Sequence, residues 1–326
     1  MTPSEMLKTI TDIQFEPIAK PTDTLIIRNF DKVKELNLSS GKEIEVEGFV
    51  TYIPRELNDR DRDLHFNLSP PLHSEVDHSG ENVNTGSYII CEIQNASIFD
   101  HKVKLADAKE QKKRVRVRGH FRMFLEHVDN ESYNPHIFEI HPVTKVWIED
   151  VELRNITVDC PDRNGWKNNA SIYEMIWGND KNGLSFVNYV ERRSYIEMRE
   201  DKIQISHDKG DLTFTNLTTP HEGKPAVGFN YVYTVGLFFK IVKDTFPEGS
   251  PYIFEIKAVD GNNNNAIKCV ATPETLAYDL ARSFHYKPPA EEIVAVAMRN
   301  MHIPSLFENK FETTLYPVFR LEKLIV

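Results

Sequence analysis

The chain has 326 residues, of which 40% are hydrophobic and 27% charged. This composition is typical of a globular protein rather than a disordered or membrane protein. The length predicts two or three domains at ~150 residues each. Lys and Arg number 39 against 49 Asp and Glu, a formal net charge of -10. That balance excludes a basic field over the whole protein for wrapping duplex nucleic acid, so any nucleic-acid contact must use a local basic surface.

Targeting and cysteine signals are weak. The N-terminal residues show no basic segment followed by an apolar stretch, and the longest apolar run, 231–239, is far shorter than the ~20 residues of a membrane helix. The three cysteines are widely spaced, which argues against a disulfide framework and a thiolate zinc site. We therefore expect a cytoplasmic protein without a membrane partner, in which Cys91 and Cys269 are small buried hydrophobic residues.

The sequence pattern of the first 150 residues predicts five strands and one helix. Alternating polar and apolar residues predict strands at 42–53, 63–68, 88–94, 114–125 and 137–148, and residues 98–113 favour a helix. Five antiparallel strands with a helix after the third is the order of the OB-fold, a small barrel. Gly48 interrupts the first strand and predicts a bulge where that strand bends. The alternation places seven residues in the barrel interior: Leu64, Phe66, Ile89, Cys91, Val115, Val117 and Ile140.

The C-terminal third repeats this order. Strands are predicted at 229–242, 252–259, 266–271, 292–298 and 314–326, with a helix at 273–284. Between the two sets, residues 193–199, 202–207 and 211–217 predict a three-stranded meander. The predicted fold is mainly β, with two OB-like five-stranded barrels joined by a β-rich middle region. The predicted divisions are an N-terminal extension (1–40), an OB-like domain (41–150), the middle region (151–225) and a second OB-like domain (226–326).

One predicted strand carries a basic row. Period two places Arg114, Arg116, Arg118, His120 and Arg122 on one face. Guanidinium groups spaced along a strand in this way can contact successive phosphates of a nucleic-acid backbone. It also suits pairing with a row of glutamates on the first strand, at positions 43, 45 and 47. We favour the second interpretation, because the first and fourth strands of an OB barrel are neighbours.

The usual OB ligand face belongs to the second and third strands. Tyrosine and histidine side chains there can stack on bases, and arginines in the adjacent loops can meet phosphates. The candidate ligand-binding residues are Arg55, Arg60, Arg62, His65, Tyr88, Glu92, His127 and Tyr133. Asp59, Asp61 and Asp63 lie in the same loop and would repel a polyanion.

A second constellation has the residue types of a metal or acid-base site. Glu139 and His141 share one face of the fifth strand, and with Asp63 and His65 they offer ligands for a divalent cation. These four residues define an alternative function, a metal-dependent phosphodiesterase or nuclease. The competing interpretation is a hydrogen-bonded structural cluster at the barrel rim. On the sequence alone we assign no catalytic residue and no metal ligand.

Several of these residues fall in a recognisable pattern: Asp61-Arg-Asp-Leu-His65, Cys91-Glu92, 119–127, and Phe138-Glu-Ile-His-Pro-Val143. The pattern resembles an uncharacterised group of bacterial OB-like domains with Asp-x-His and Glu-Ile/Leu-His-Pro-Val motifs, over about the first 150 residues. The positions that match are His65, Glu92, His127, Glu139 and His141. Phe124 replaces an Asp of that pattern and Arg62 replaces a Gly. The resemblance implies an OB-like fold, and the missing Asp argues against an intact catalytic site.

Binding rather than catalysis is therefore the expected function. We expect a tandem OB-fold protein with single-stranded nucleic acid as the favoured ligand and no cofactor. The metal-dependent phosphodiesterase, which would require a divalent metal, is one alternative. A protein-interaction or assembly module is the other.

Overall fold

The structure is a computed structural model in which the following residues are described: 1–13, 15–17, 23–38, 42–55, 64–70, 88–93, 100–123, 137–154, 156, 202–217, 231–241, 252–258, 266–271, 279, 281–284, 292–311 and 313–323. The chain divides into two compact units. The first comprises Met1–Ile156, Ile196–Gly228 and Met301–Glu312. The second comprises Thr157–Tyr195, Phe229–Asn300 and Thr313–Val326. No described helix combines the length and the apolar character needed to cross a bilayer.

The first unit contains a closed barrel. Its elements are β3 (Glu43–Tyr52), β4 (Leu64–Ser69), β5 (Ile89–Ile93), α3 (His101–Glu110), β6 (Arg114–Met123), β7 (Phe138–Ile148) and the short β8 (Val151–Glu152). Hydrogen bonds order the strands β5-β4-β3-β6-β7-β8, and parallel pairing of β5 with β7 closes the sheet. Five strands in this order with a helix between the third and fourth confirm the predicted first barrel.

The barrel interior is filled as the alternation predicts. All seven expected interior residues have no exposed surface: Leu64, Phe66, Ile89, Cys91, Val115, Val117 and Ile140. Close-packed aliphatic and aromatic side chains of this kind supply most of the hydrophobic stabilisation of a small barrel. The barrel is therefore a packed core, and function must use its outer surface.

Gly48 is required by close approach rather than by a bulge. A Cβ at this position would lie 2.2 Å from the carbonyl oxygen of Ser69 and 2.5 Å from Cδ2 of Leu7. The register shift in β3 occurs between Val50 and Tyr52 instead. The predicted bulge was therefore misplaced by a few residues, and Gly48 allows β4 and the N-terminal helix to pack closely on β3.

The N-terminal residues pack on the same unit. Helix α1 (Pro3–Thr11) begins with a capping box, in which Thr2 and Glu5 satisfy each other's backbone N–H groups. Strands β1 (Phe15–Pro17) and β2 (Thr24–Ile27) precede α2 (Asp31–Glu35). With β9 (Gln204–Asp208) and β10 (Asp211–Thr215) they form a four-stranded sheet of order β1-β2-β10-β9. This confirms two strands of the predicted meander; its first strand, 193–199, lies outside the described residues.

A late segment of the chain also belongs to the first unit. Helix α4 (Ile303–Phe307) buries Ile303 and Leu306, and the Phe307 ring lies 4.8 Å from the Phe30 ring, centroid to centroid. The sequence analysis did not predict this helix, because it is only five residues long.

The second unit contains a five-stranded antiparallel sheet. Its strands are β11 (Tyr231–Ile241), β12 (Tyr252–Ala258), β13 (Ala266–Ala271), β14 (Glu292–Met301) and β15 (Thr313–Lys323), in the order β13-β12-β11-β14-β15. This order corresponds to β5-β4-β3-β6-β7 of the first barrel, without the β5–β7 pairing that closes that barrel. The predicted strands are thus present, and closure of this sheet into a second OB-like barrel stays a prediction.

Candidate functional site

A cluster of charged side chains lies on the outer side of the first barrel, away from its packed interior. Neighbouring strands contribute His65 from β4, Glu92 from β5, Arg122 from β6, and Glu139 and His141 from β7. Pairing places His65 directly opposite Glu92, and Arg122 directly opposite Glu139. The parallel contact between β5 and β7 then brings the two pairs together. Barrel closure, not sequence proximity, assembles this cluster.

The contacts within the cluster are short. Oε1 of Glu92 lies 2.9 Å from Nε2 of His65, and Oε2 of the same carboxylate lies 2.9 Å from Nδ1 of His141. Oε2 of Glu139 lies 3.8 Å from that Nδ1. Nη1 of Arg122 donates a hydrogen bond of 3.1 Å to Oε2 of Glu139 and lies 3.3 Å from His141 Nδ1. Glu92 therefore connects a half-exposed histidine to a buried one.

Burial corrects one part of the sequence interpretation. His65, Glu139 and His141 were expected close together on the outer side of the barrel, and they are close together. The glutamates and His141 are buried, however, and only the His65 side chain is substantially exposed, at 37%. Burying charged groups is costly unless they are paired, and each of these groups has a charged neighbour.

Burial and pairing act in opposite directions on the two central groups. Burial by itself would raise the pKa of Glu92, but the imidazoles of His141 and His65 outweigh it and hold the pKa of that carboxyl well below its usual value. Burial likewise opposes a charged His141, yet the carboxylates of Glu92 and Glu139 outweigh it and raise the pKa of the imidazole. The site thus favours the ionised forms of both partners.

Arg122 was wrongly grouped with the basic row. It is completely buried, whereas Arg114, Arg116 and Arg118 keep part of their side chains in solvent. The register between β6 and β7 shifts on both sides of Gly119, which separates Arg122 from the regular row. Only the pairing with Glu139 on β7 identifies Arg122 as part of the cluster, and that pairing is invisible in the sequence of β6.

The basic row itself is neutralised by the glutamates of β3. Arg114 lies 3.6 Å from Glu47, while Arg116 and Arg118 lie 3.4 and 2.8 Å from Glu45. The guanidinium carbons of Arg116 and Arg118 also lie 4.5 and 5.4 Å from the ring centroid of Trp147. This confirms the favoured interpretation, a charge-paired outer face, for these three arginines. His120, another member of the predicted row, is completely buried.

A second outer surface, which we call the β4–β5 face, lies beside the cluster. Pairing aligns Tyr52, Asn67 and Ile90 across β3, β4 and β5. His65 of β4 and Tyr88, which immediately precedes β5, border the same face, and all of these residues except Asn67 are partly exposed. The sequence analysis missed Tyr52 because the irregularity at Thr51 turns it onto the face of Asn67.

Cations lie at one end of this region. Arg55, just after β3, is exposed, and the amino group of Lys102 donates a hydrogen bond to its carbonyl oxygen. The remaining sequence candidates lie outside the described residues: Arg60, Arg62, Asp63, His127 and Tyr133. Their proposed roles stay predictions.

The two described cysteines behave as expected. Cys91 and Cys269 are buried and unbonded to each other, and burial raises the pKa of each thiol far above its usual value. A buried neutral thiol is neither a good nucleophile nor a good metal ligand. Neither cysteine belongs to the candidate site.

No protein-family model matches the chain, and no curated protein matches it. Among solved structures, the chain is similar to a deletion mutant of the single-stranded DNA binding protein from Thermus aquaticus, with 9% identity, 88% of this chain and 96% of that chain covered, and a TM-score of 0.20. The wild-type protein gives 8% identity, 89% and 95% coverage, and a TM-score of 0.22. At these scores the similarity carries no argument about this chain, and the proposals below depend on its own residues.

Proposed function

We propose that this chain binds single-stranded nucleic acid on the β4–β5 face of the first barrel. The observation that carries the proposal is the alignment of partly exposed Tyr52 and Ile90 across a closed barrel of OB order, with the partly exposed Tyr88 immediately before β5. Aromatic side chains in such a position can stack on bases of any sequence, because every base has a π-face.

Charge distribution supports the same surface. The exposed Arg55 and the neighbouring Lys102 can contact the phosphate backbone at one end of the face. Arg116 and Arg118 of β6, in contrast, already pair with Glu45, and Arg116 also stacks on Trp147. Their positive charge is therefore largely neutralised within the protein. A single strand would therefore gain more binding energy from Arg55 and Lys102 than from the arginines of β6.

The second sheet supports a tandem arrangement. Its strand order matches that of the first barrel, so a second binding surface of the same kind is proposed there. Two linked weak sites gain affinity through effective concentration, provided one strand can reach both. The proposed ligand is therefore a single strand long enough to occupy two surfaces.

The test is a fluorescence-polarisation titration of a labelled single strand and of the matching duplex, each at two salt concentrations. We expect the affinity for the single strand to fall with salt, and a few local cations should set the slope of log affinity against log salt concentration. Binding of the duplex should be weak because the protein is acidic overall. Absence of single-strand binding at low salt would overturn the proposal and would favour the protein-interaction alternative.

A further inference from the structure

We propose that Asn67 recognises the edge of a base in the bound strand and gives the β4–β5 face a preference for adenine. The inference rests on the proposed function, because it names what this face selects within a single strand. Asn67 lies in β4 between Phe66 and Leu68, whose side chains are completely buried in the barrel interior. Since successive side chains of a strand point to opposite sides, Asn67 points to the outer face.

The carboxamide of Asn67 is buried without a protein partner in the described part of the chain. The residue is 8% exposed, and no hydrogen bond joins its side chain to another described residue. Ser69, two positions further along the same face of β4, is already engaged, since its hydroxyl lies 3.0 Å from that of Thr51. Buried polar groups of proteins are nearly always hydrogen-bonded. An unpartnered carboxamide on the proposed binding surface therefore indicates a partner that the ligand supplies.

Larger side chains flank Asn67 on both neighbouring strands. Pairing places Tyr52 of β3 on one side and Ile90 of β5 on the other, and both are partly exposed. Strands lie ~4.8 Å apart, so the backbones at these two residues are separated by ~10 Å. A flat ring in contact with both side chains needs about 7–8 Å between their facing atoms. Side chains on the convex outside of a barrel diverge, which leaves room for one base with its edge directed at Asn67.

The depth of Asn67 favours a purine. Its side chain is shorter than those of Tyr52 and Ile90, so the carboxamide lies at the floor between them. Two fused rings extend farther from the sugar than one ring does. A purine can therefore reach the floor while its sugar and phosphate stay outside the flanking side chains, and a pyrimidine reaches it less well.

The hydrogen-bonding pattern of the carboxamide favours adenine between the two purines. A carboxamide presents an acceptor beside a donor, and it pairs bidentately with N6 and N7 of adenine. Adenine repeats this pattern at N6 and N1, and both edges of a base are accessible in a single strand. Guanine presents two acceptors at N7 and O6, so only its other edge can pair in this way. Adenine thus satisfies Asn67 in either orientation.

The experiment is a competition titration followed by fluorescence polarisation, with the full chain and a labelled thymidylate strand. The competitors are thymidylate strands of one length in which every second base is adenine, guanine or cytosine. We expect the adenine strand to bind at least about fivefold more tightly than the cytosine strand, the lower end of the discrimination given by one bidentate pair. The guanine strand should bind more weakly than the adenine strand.

Asn67→Leu keeps the size of the side chain and removes the carboxamide. It should bind all of the competitors with similar affinity, because the base edge loses its partner. Circular dichroism shows whether this variant is folded, and Asn67→Ala is the second variant if it is not. The matched control is Ser69→Ala, which removes a hydroxyl on the same side of β4 that already has a protein partner. It should retain the preference for adenine.

The outcomes separate this inference from the proposed function. Equal binding of all competitors by the wild type, or a preference for adenine that persists in Asn67→Leu, would overturn the role of Asn67 and leave single-strand binding in place. Absence of binding to every strand would overturn both.

Discussion

Nη1 of Arg122 lies 3.1 Å from Oε2 of Glu139, and the two side chains are 0% and 6% exposed. Both residues are buried, and they are paired directly across β6 and β7. A buried charge that loses its partner is left with its full desolvation cost.

Arg122→Met should therefore destabilise the first unit strongly. The substitution removes the guanidinium beside Glu139 and should lower the free energy of unfolding by about 3–5 kcal/mol, the range for breaking a buried pair. Urea denaturation followed by circular dichroism measures the loss. The control is Arg116→Met, whose partly exposed pair with Glu45 should cost about 1 kcal/mol or less. Equal losses in the two variants would contradict the burial argument.

Gly48→Ala should destabilise the packing of β3 against β4 and α1. The new methyl group would meet the carbonyl oxygen of Ser69 at 2.2 Å and Cδ2 of Leu7 at 2.5 Å, so backbone must shift. Overpacking of this kind costs about 1–3 kcal/mol. Thermal unfolding compared with Val103→Ala, an exposed position on α3, measures the effect. A melting temperature unchanged from the wild type would show that the close approach is not required.

His101 predicts a pH dependence of stability. Burial lowers the pKa of its imidazole, partly opposed by the carbonyl oxygen of Arg154, 3.0 Å from Nε2. Because the pKa in the folded state is below the unfolded value of about 6.5, the unfolded state binds more protons just below that pH. The free energy of unfolding should rise with pH across this interval, and His101→Gln should remove that part of the slope. Denaturation curves between about pH 5 and 7.5 measure it. Identical slopes in wild type and variant would contradict the assignment.

Stacking on the β4–β5 face predicts the effect of removing either tyrosine. Tyr88→Ala and Tyr52→Ala should each weaken single-strand binding by about 1–3 kcal/mol if a base stacks on the ring. The control is Trp147→Leu, which removes an aromatic ring from the charge-paired row. Polarisation titrations at one salt concentration compare the three. A larger loss for Trp147→Leu than for the tyrosine variants would place the nucleic acid elsewhere.

Particular residues show how far the sequence could be interpreted. The alternation of polar and apolar residues correctly predicted that Phe66 and Val117 are buried, because side chains of a strand follow a strict period of two. The same rule failed at Tyr52, where the strand is irregular, and at Arg122, where two register shifts intervene. Pairing of β2 with β10 left no local signal, since it joins Ile27 to Leu212 across most of the chain. The grouping of His65 with Glu139 and His141 followed from the order of neighbouring strands. The burial of Glu139 and His141 depends on tertiary packing, which no local pattern encodes.

The most direct test asks which cations contact the strand. The double variant Arg55→Gln with Lys102→Gln removes the cations of the proposed surface, and Arg116→Gln with Arg118→Gln removes two from the charge-paired row. Binding of a labelled single strand is measured over a range of salt concentrations. The account predicts that the first double variant reduces the slope of log affinity against log salt by about 1.4, at roughly 0.7 per lost phosphate contact, and that the second leaves it unchanged. A reduced slope only in the second double variant would contradict the account and would place the nucleic acid on the arginine row.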